Sequence, residues 1–79
     1  MYFVYVLKSK KDQKRYIGFT DNLERRLNEH NSGKVKSTKN RKPLDLIYCE
    51  EYESKSEAMN REKYFKSGYG RAFLNSKGI

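Results

Sequence analysis

The chain contains one cysteine, Cys49, so it forms no disulfide within itself. Zinc would need several ligands, and Cys49 lies in a strand-like run, where it reads as a small buried hydrophobe. A chain of 79 residues with no cysteine framework suits a reducing, intracellular compartment, and a cytoplasmic location is expected. No apolar run approaches the length of a membrane span, so no membrane partner is expected. No basic segment precedes the short apolar run at the N-terminus, which speaks against a signal peptide. Acidic residues are also scarce, 10 against 18 Lys and Arg, giving a net charge of +8 and a pI near 9.7. That balance suits a polyanion, with nucleic acid first and an anionic membrane surface second; plain solubility is the bland alternative.

Apolar content is low at 35%, but seven Tyr and four Phe bury much area per residue. A chain this short forms one domain over residues 1–79 and buries only about 60–65% of its unfolded surface.

Residues 2–7 are continuously apolar and rich in Val and aromatics, which predicts a strand buried on both faces. The polar run Lys8 to Lys14 reads as a hairpin loop. In 15–20 the faces alternate, with Tyr16, Gly18 and Thr20 on one side and Arg15, Ile17 and Phe19 on the other. Asp21 followed by Glu24 predicts a capped helix start, Leu23 and Leu27 mark its inner face, and Gly33 is its left-handed stop. Residues 34–43 (KVKSTKNRKP) are basic, hold no acid and close on the only proline, Pro43. Residues 44–50 predict a third strand. Ser54 and Glu57 form a capping box for a second helix that runs to about Ser67 and stops at Gly68. A short last helix over Tyr69 to Asn75 follows. The order β-β-α-β-α-α predicts a small α+β domain whose three-stranded antiparallel sheet is covered by helices.

Several side chains on this frame can do chemistry. At about 100° per residue, His30 falls about 20° and Arg26 about 60° from Leu23 around the first helix. Both therefore border its apolar face and neighbour each other. A core histidine bonded to backbone is the plainer reading of His30. On the second helix Glu62 lies about 40° from Ala58, inside the apolar stripe. A carboxylate there is costly unless it is paired, for example with Arg26, or binds a metal. An isolated carboxylate suits Mg²⁺ that keeps most of its waters. In a simple antiparallel register Tyr5 lies opposite Tyr16. Cross-strand tyrosines are commonly packing, yet their phenols can also point into a shared pocket. Gly18 removes a side chain beside Tyr16 and leaves room for a phosphate or another backbone. Lys34, Lys36, Lys39, Arg41 and Lys42 form a strip able to contact phosphates without reading bases, unless it is only a solvated charge run.

Taken together and in this order, these segments resemble the GIY-YIG nuclease superfamily. The likeness is greatest to its small stand-alone bacterial members, similar to the N-terminal nuclease domain of the excinuclease C subunit. The residues that carry it are Phe3-Val4-Tyr5, Tyr16-Ile17-Gly18, the helix Asn22 through His30, Arg41-Lys42-Pro43-Leu44, and Ser56 through Glu62. Phe3 stands where the first motif has glycine. The resemblance implies that Tyr5 and Tyr16 hold and deprotonate an attacking water. It implies that Arg26 binds the scissile phosphate and that His30 assists proton transfer or orients a tyrosine. Glu62 would be the one protein ligand of a divalent metal, Mg²⁺ or Mn²⁺. A phenol needs a neighbouring cation or metal to act as a base, and Arg26 with the metal would supply that.

The expected function is metal-dependent endonucleolytic hydrolysis of DNA, in repair or processing. RNA is an alternative substrate, and a second copy or a protein partner an alternative arrangement. The rival class is a nucleic-acid-binding module of the same fold without turnover. No second domain that would read sequence, junctions or damage is seen, so the resemblance leaves the substrate undefined.

Overall fold

The computed structural model describes residues 1–79 and places the most continuously apolar segment at the centre of a three-stranded sheet. Strand β1 (Tyr2–Ser9) lies between β2 (Arg15–Thr20) and β3 (Leu44–Tyr52), both antiparallel to it. Val4, Tyr5, Val6 and Leu7 are all buried, as a strand covered on both sides requires. Helix α1 (Leu23–Asn31) lies on one face; α2 (Lys55–Phe65) and α3 (Gly68–Ser76) lie on the other. This is the expected α+β domain, with β1 and β3 each two residues longer than the apolar pattern suggests.

The even positions of β1 face α2 and α3. Val4 and Val6 pack there with Ala58, Phe65 and Leu74. The odd positions face α1, where Tyr5, Leu7 and Leu44 pack with Tyr16, Leu23 and Leu27. A bulge at Val6/Leu7 shifts the pairing of β3, opposing Val6 to Tyr48 but Leu7 to Leu46.

Three local expectations are corrected. The N-cap of α1 is Asn22, whose Oδ1 accepts the Arg25 N–H at 3.0 Å, while Asp21 pairs with the Arg25 guanidinium at 3.0 Å. Gly68 does not stop α2; it opens α3, which Ser67 caps by accepting from the Gly70 N–H. Cys49 is exposed; it lies opposite Tyr5 on the edge strand β3. Gly33, by contrast, ends α1 as expected at φ +80°, and the Lys34 N–H reaches back to the Glu29 carbonyl at 3.0 Å.

Gly70 is required by packing. A Cβ there would fall 2.8 Å from the Phe65 carbonyl carbon, so its absence lets α3 close against the end of α2. The start of β3 is held by Asn31, whose side-chain amide accepts the Leu44 N–H at 2.7 Å and donates to the Leu44 carbonyl at 3.0 Å. That pair fixes the end of α1 to β3 and closes the intervening basic loop at its base.

Candidate active site

The register differs from the simple one. Tyr5 lies opposite Gly18, and Tyr16 lies opposite Leu7. The tyrosines are therefore diagonal neighbours on one face, still within reach of a common partner. Gly18 also has a different task from the one its position suggests. A Cβ on it would fall 2.6 Å from the Tyr5 ring carbon Cζ. The space that glycine leaves is filled by the Tyr5 ring, not left for a phosphate.

The common partner is His30. Its Nε2 lies 2.9 Å from the Tyr5 hydroxyl, and its ring centroid is 5.0 Å from that of Tyr16. Its Nδ1 lies 2.7 Å from the Thr38 hydroxyl. His30 and Thr38 are fully buried, and Tyr5 is 2% exposed. Sequence periodicity places His30 against the sheet, but its partners are side chains and not backbone.

Thr38 is the residue that sequence reasoning missed. It sits in the basic loop, where the charges dominate the pattern. The available signal was Val35 and Thr38 three apart among lysines; both are buried, and the Thr38 N–H closes a turn onto the Val35 carbonyl at 3.1 Å. The loop thus folds inward and lays a hydroxyl on the imidazole. Next to it, Ser37 Oγ lies 3.4 Å from the Tyr16 hydroxyl.

Burial sets the electrostatics here. It pushes the His30 imidazole down to a pKa of about 4, with the Arg26 charge adding to the shift. His30 is therefore neutral near pH 7, with one ring nitrogen donating and the other accepting. Burial also raises the Tyr5 phenol above its ordinary value. The Arg26 guanidinium opposes that rise, while Tyr16 and Glu62 add to it. Arg26 itself pairs with Glu29 at 3.1 Å, one turn along α1.

Glu62 is half-buried on α2. Its partner is Lys66 at 3.4 Å, so the alternative pairing with Arg26 is not made. No group of three His, Cys, Asp or Glu side chains is placed to hold a metal ion. What the site offers is one hard carboxylate oxygen donor, which fits a hydrated Mg²⁺ or Mn²⁺ and excludes a full protein cage.

The basic strip divides. Lys34, Lys36, Lys39 and Lys42 are exposed, and none is in an ion pair. Arg41 is committed elsewhere. Its Nε binds Asp12 at 2.8 Å, and its Nη2 donates to the Lys14 and Arg15 carbonyls at 3.0 and 3.3 Å. It fastens the loop to the β1–β2 hairpin, so it is not free for the phosphate contact expected of it.

A sheet with a helix on one face and two on the other, carrying a buried phenol–imidazole pair beside an arginine, is the frame on which the family comparison bears. The chain belongs to the GIY-YIG catalytic domain family, whose profile matches residues 1–76. It is similar to a UPF0213 protein of Clostridium perfringens, 48% identical over 67 residues, covering 84% of this chain and 71% of that one. A UPF0213 protein of Staphylococcus haemolyticus is likewise 48% identical over 67 residues, covering 84% and 80%. The solution NMR structure of a UPF0213 protein from Bacillus halodurans superposes with a TM-score of 0.58. It is 38% identical and covers 96% of this chain and 84% of that one. No helix is long and apolar enough to cross a membrane.

Proposed function

We propose that the chain is an endonuclease that hydrolyses DNA phosphodiester bonds with the help of one divalent metal ion, Mg²⁺ or Mn²⁺, in repair or processing of DNA. The observation that carries this reading is the buried line from Tyr5 through His30 to Thr38, with Arg26 acting on the Tyr5 oxygen from outside. A neutral imidazole between two hydroxyls can relay a proton, and a guanidinium nearby favours the phenolate form of Tyr5.

Arg26 carries only donors, so it stabilises negative charge on the phenol oxygen and on a phosphate beside it. Thr38 Oγ1 can accept a hydrogen bond from Nδ1–H, which leaves the Nε2 lone pair free to accept a proton from Tyr5. The half-buried Tyr16 holds the attacking water against the site. As the water oxygen bonds to phosphorus, its proton passes to the Tyr5 oxygen and the Tyr5 proton moves to His30 Nε2. The P–O bond to the leaving sugar oxygen breaks, and that oxygen is protonated from solvent. A metal held through Glu62 would supply Lewis-acid stabilisation of the phosphate and leaving oxygen.

The test is cleavage of supercoiled plasmid and of branched DNA and RNA with Mg²⁺, Mn²⁺ or EDTA, alongside Glu62→Ala. Metal-dependent nicking of DNA that disappears in the variant is the expected result. Equal cleavage by the variant removes Glu62 from the metal role. A salt-sensitive mobility shift with no cleavage by the native chain makes it a binding module instead.

A further inference from the structure

The basic loop is not the only cationic surface at the site. An open cleft of about 790 Å³ lies at the β2 edge of the sheet, between the hairpin and the α2–α3 pair. Its rim carries Lys8, Lys14, Arg15, Lys66 and Arg71, and no acidic residue lines it. Tyr16 lines the same cleft. Its floor is apolar, with Ile17, Phe65 and Leu74.

These cations are not all equal. Arg15 is structural, since its Nε donates to the Ile79 carbonyl at 3.0 Å and its Nη2 to Asn75 Oδ1 at 2.5 Å. Lys66 is shared with Glu62. Lys8, Lys14 and Arg71 are in no ion pair, and Lys14 and Arg71 are exposed. Three cations in no ion pair on the lining of one cleft, with no acidic side chain among its residues, give it a positive potential that attracts anions.

Tyr16 joins this cleft to the basic loop. Its hydroxyl lies 3.4 Å from Ser37 Oγ, between Lys36 and Thr38, and the residue also lines the cleft at the strand edge. The residue expected to meet the attacking water therefore stands between two separate phosphate-attracting surfaces.

We propose that this cleft is a second nucleic-acid backbone site, in which Lys8, Lys14 and Arg71 hold phosphates on one side of the scissile bond while the lysines of the 34–42 loop hold those on the other. The proposal rests on the nucleic-acid reading of the site given above. It makes the substrate a strand that crosses Tyr16, gripped on both flanks through its backbone and without base readout. Two grips on one strand would position a cut within this one fold.

The experiment measures fluorescence anisotropy of a labelled single-stranded and a labelled duplex oligonucleotide across a salt series. Three proteins are compared: native, Lys14→Gln/Arg71→Gln, and Lys34→Gln/Lys36→Gln/Lys39→Gln. Lys14 and Arg71 are exposed, so their replacement leaves the melting temperature unchanged. The cleft variant is expected to bind about tenfold more weakly near physiological salt. Its slope of log affinity against log salt should be shallower by about 1.5, roughly 0.7–0.9 for each lost phosphate contact. Protection of Lys14 from acetylation by bound oligonucleotide, read by mass spectrometry, localises the contact. A cleft variant with native affinity and slope, beside a weakened loop variant, overturns the cleft and leaves the function standing. Native protein that shows no salt-dependent binding to either oligonucleotide overturns both. Binding only to vesicles of anionic lipid would also overturn the cleft as a nucleic-acid site.

Discussion

The two faces of the sheet use the same residue types to opposite ends. On the α2–α3 face, Glu50 accepts from the Tyr48 and Tyr52 hydroxyls, each at 2.6 Å, and from Arg61 at 2.8 Å. Arg61 in turn lies 4.6 Å over the rings of Tyr64 and Phe65. Burial pushes Glu50 up, but Arg61 and the two phenols outweigh it and hold the carboxyl below its ordinary value. The bond to Glu50 pushes the Tyr48 phenol up to about 12. Every group there is matched, and its tyrosines are locked as donors. On the α1 face the phenol of Tyr5 meets an imidazole and a guanidinium, neither of which is a carboxylate. A tyrosine whose neighbours are a neutral base and a cation can change protonation; one that caps a carboxylate resists it. The chemistry of a phenol is thus decided by its partners.

The sharpest way to break this contrast is to disable the candidate site and the Glu50 cluster separately. Glu62→Ala and Tyr16→Phe should each lower DNA cleavage by about a thousandfold, the range expected of essential acid–base and metal groups. Both should leave thermal melting nearly unchanged, because the partly exposed Glu62–Lys66 pair is worth about 1 kcal/mol or less and Tyr16→Phe removes only a long contact to Ser37. Arg61→Met should do the reverse. It leaves the Glu50 charge without its cation and costs about 3 kcal/mol by urea unfolding. Cleavage per folded molecule should be unaffected. Lost activity at full folding would mean that the site and the cluster are not independent.

A second separation uses pH. His30 takes up a proton near pH 4 in the folded chain but near the ordinary 6.5 when unfolded. Its contribution is fully present above about pH 6.5 and is lost as pH falls toward 4, about 3 kcal/mol in all. Urea midpoints measured from pH 7 to 4.5 should fall with this slope, and more gently in His30→Gln. Equal slopes in the two proteins would show that His30 is not held neutral. The smallest effect is expected from Thr38→Val, which leaves Nδ1 without its partner. We expect a stability loss of about 1–2 kcal/mol and a drop in cleavage of about tenfold. Thr38→Ser, keeping the hydroxyl, should restore most of both.

Much of this arrangement is legible in the residue order. The run Phe3–Leu7 and the alternation in 15–20 give the hairpin, and helical spacing puts His30 and Arg26 at the edge of the apolar face. Glu62 is likewise found on α2 by its angle. What the pattern hides are features that depend on pairing across distance. The hairpin register is set by where Ser9 and Lys14 close the turn, so Tyr5 meets Gly18 and not Tyr16. The loop 34–43 reads as charge because its basic residues mask the Val35–Thr38 spacing that marks its buried side, and nothing in it marks Arg41 as engaged with Asp12. Cys49 reads as buried from its strand, but on the edge strand β3 it is exposed.

The contact between Tyr5 and Gly18 has one further consequence. The two signature segments of this family, one on each strand of the hairpin, are here a single contact, with the ring of one resting on the bare backbone of the other. Their effects on stability should then be strongly non-additive. Gly18→Ala alone should be costly because the ring has nowhere to go, and Tyr5→Ala alone should be costly because a cavity opens. Together, the added methyl enters the space the ring has left, and a double-mutant cycle should return a coupling energy of about 1–2 kcal/mol. In that sense the hairpin carries one indivisible unit of sequence information, written in two places.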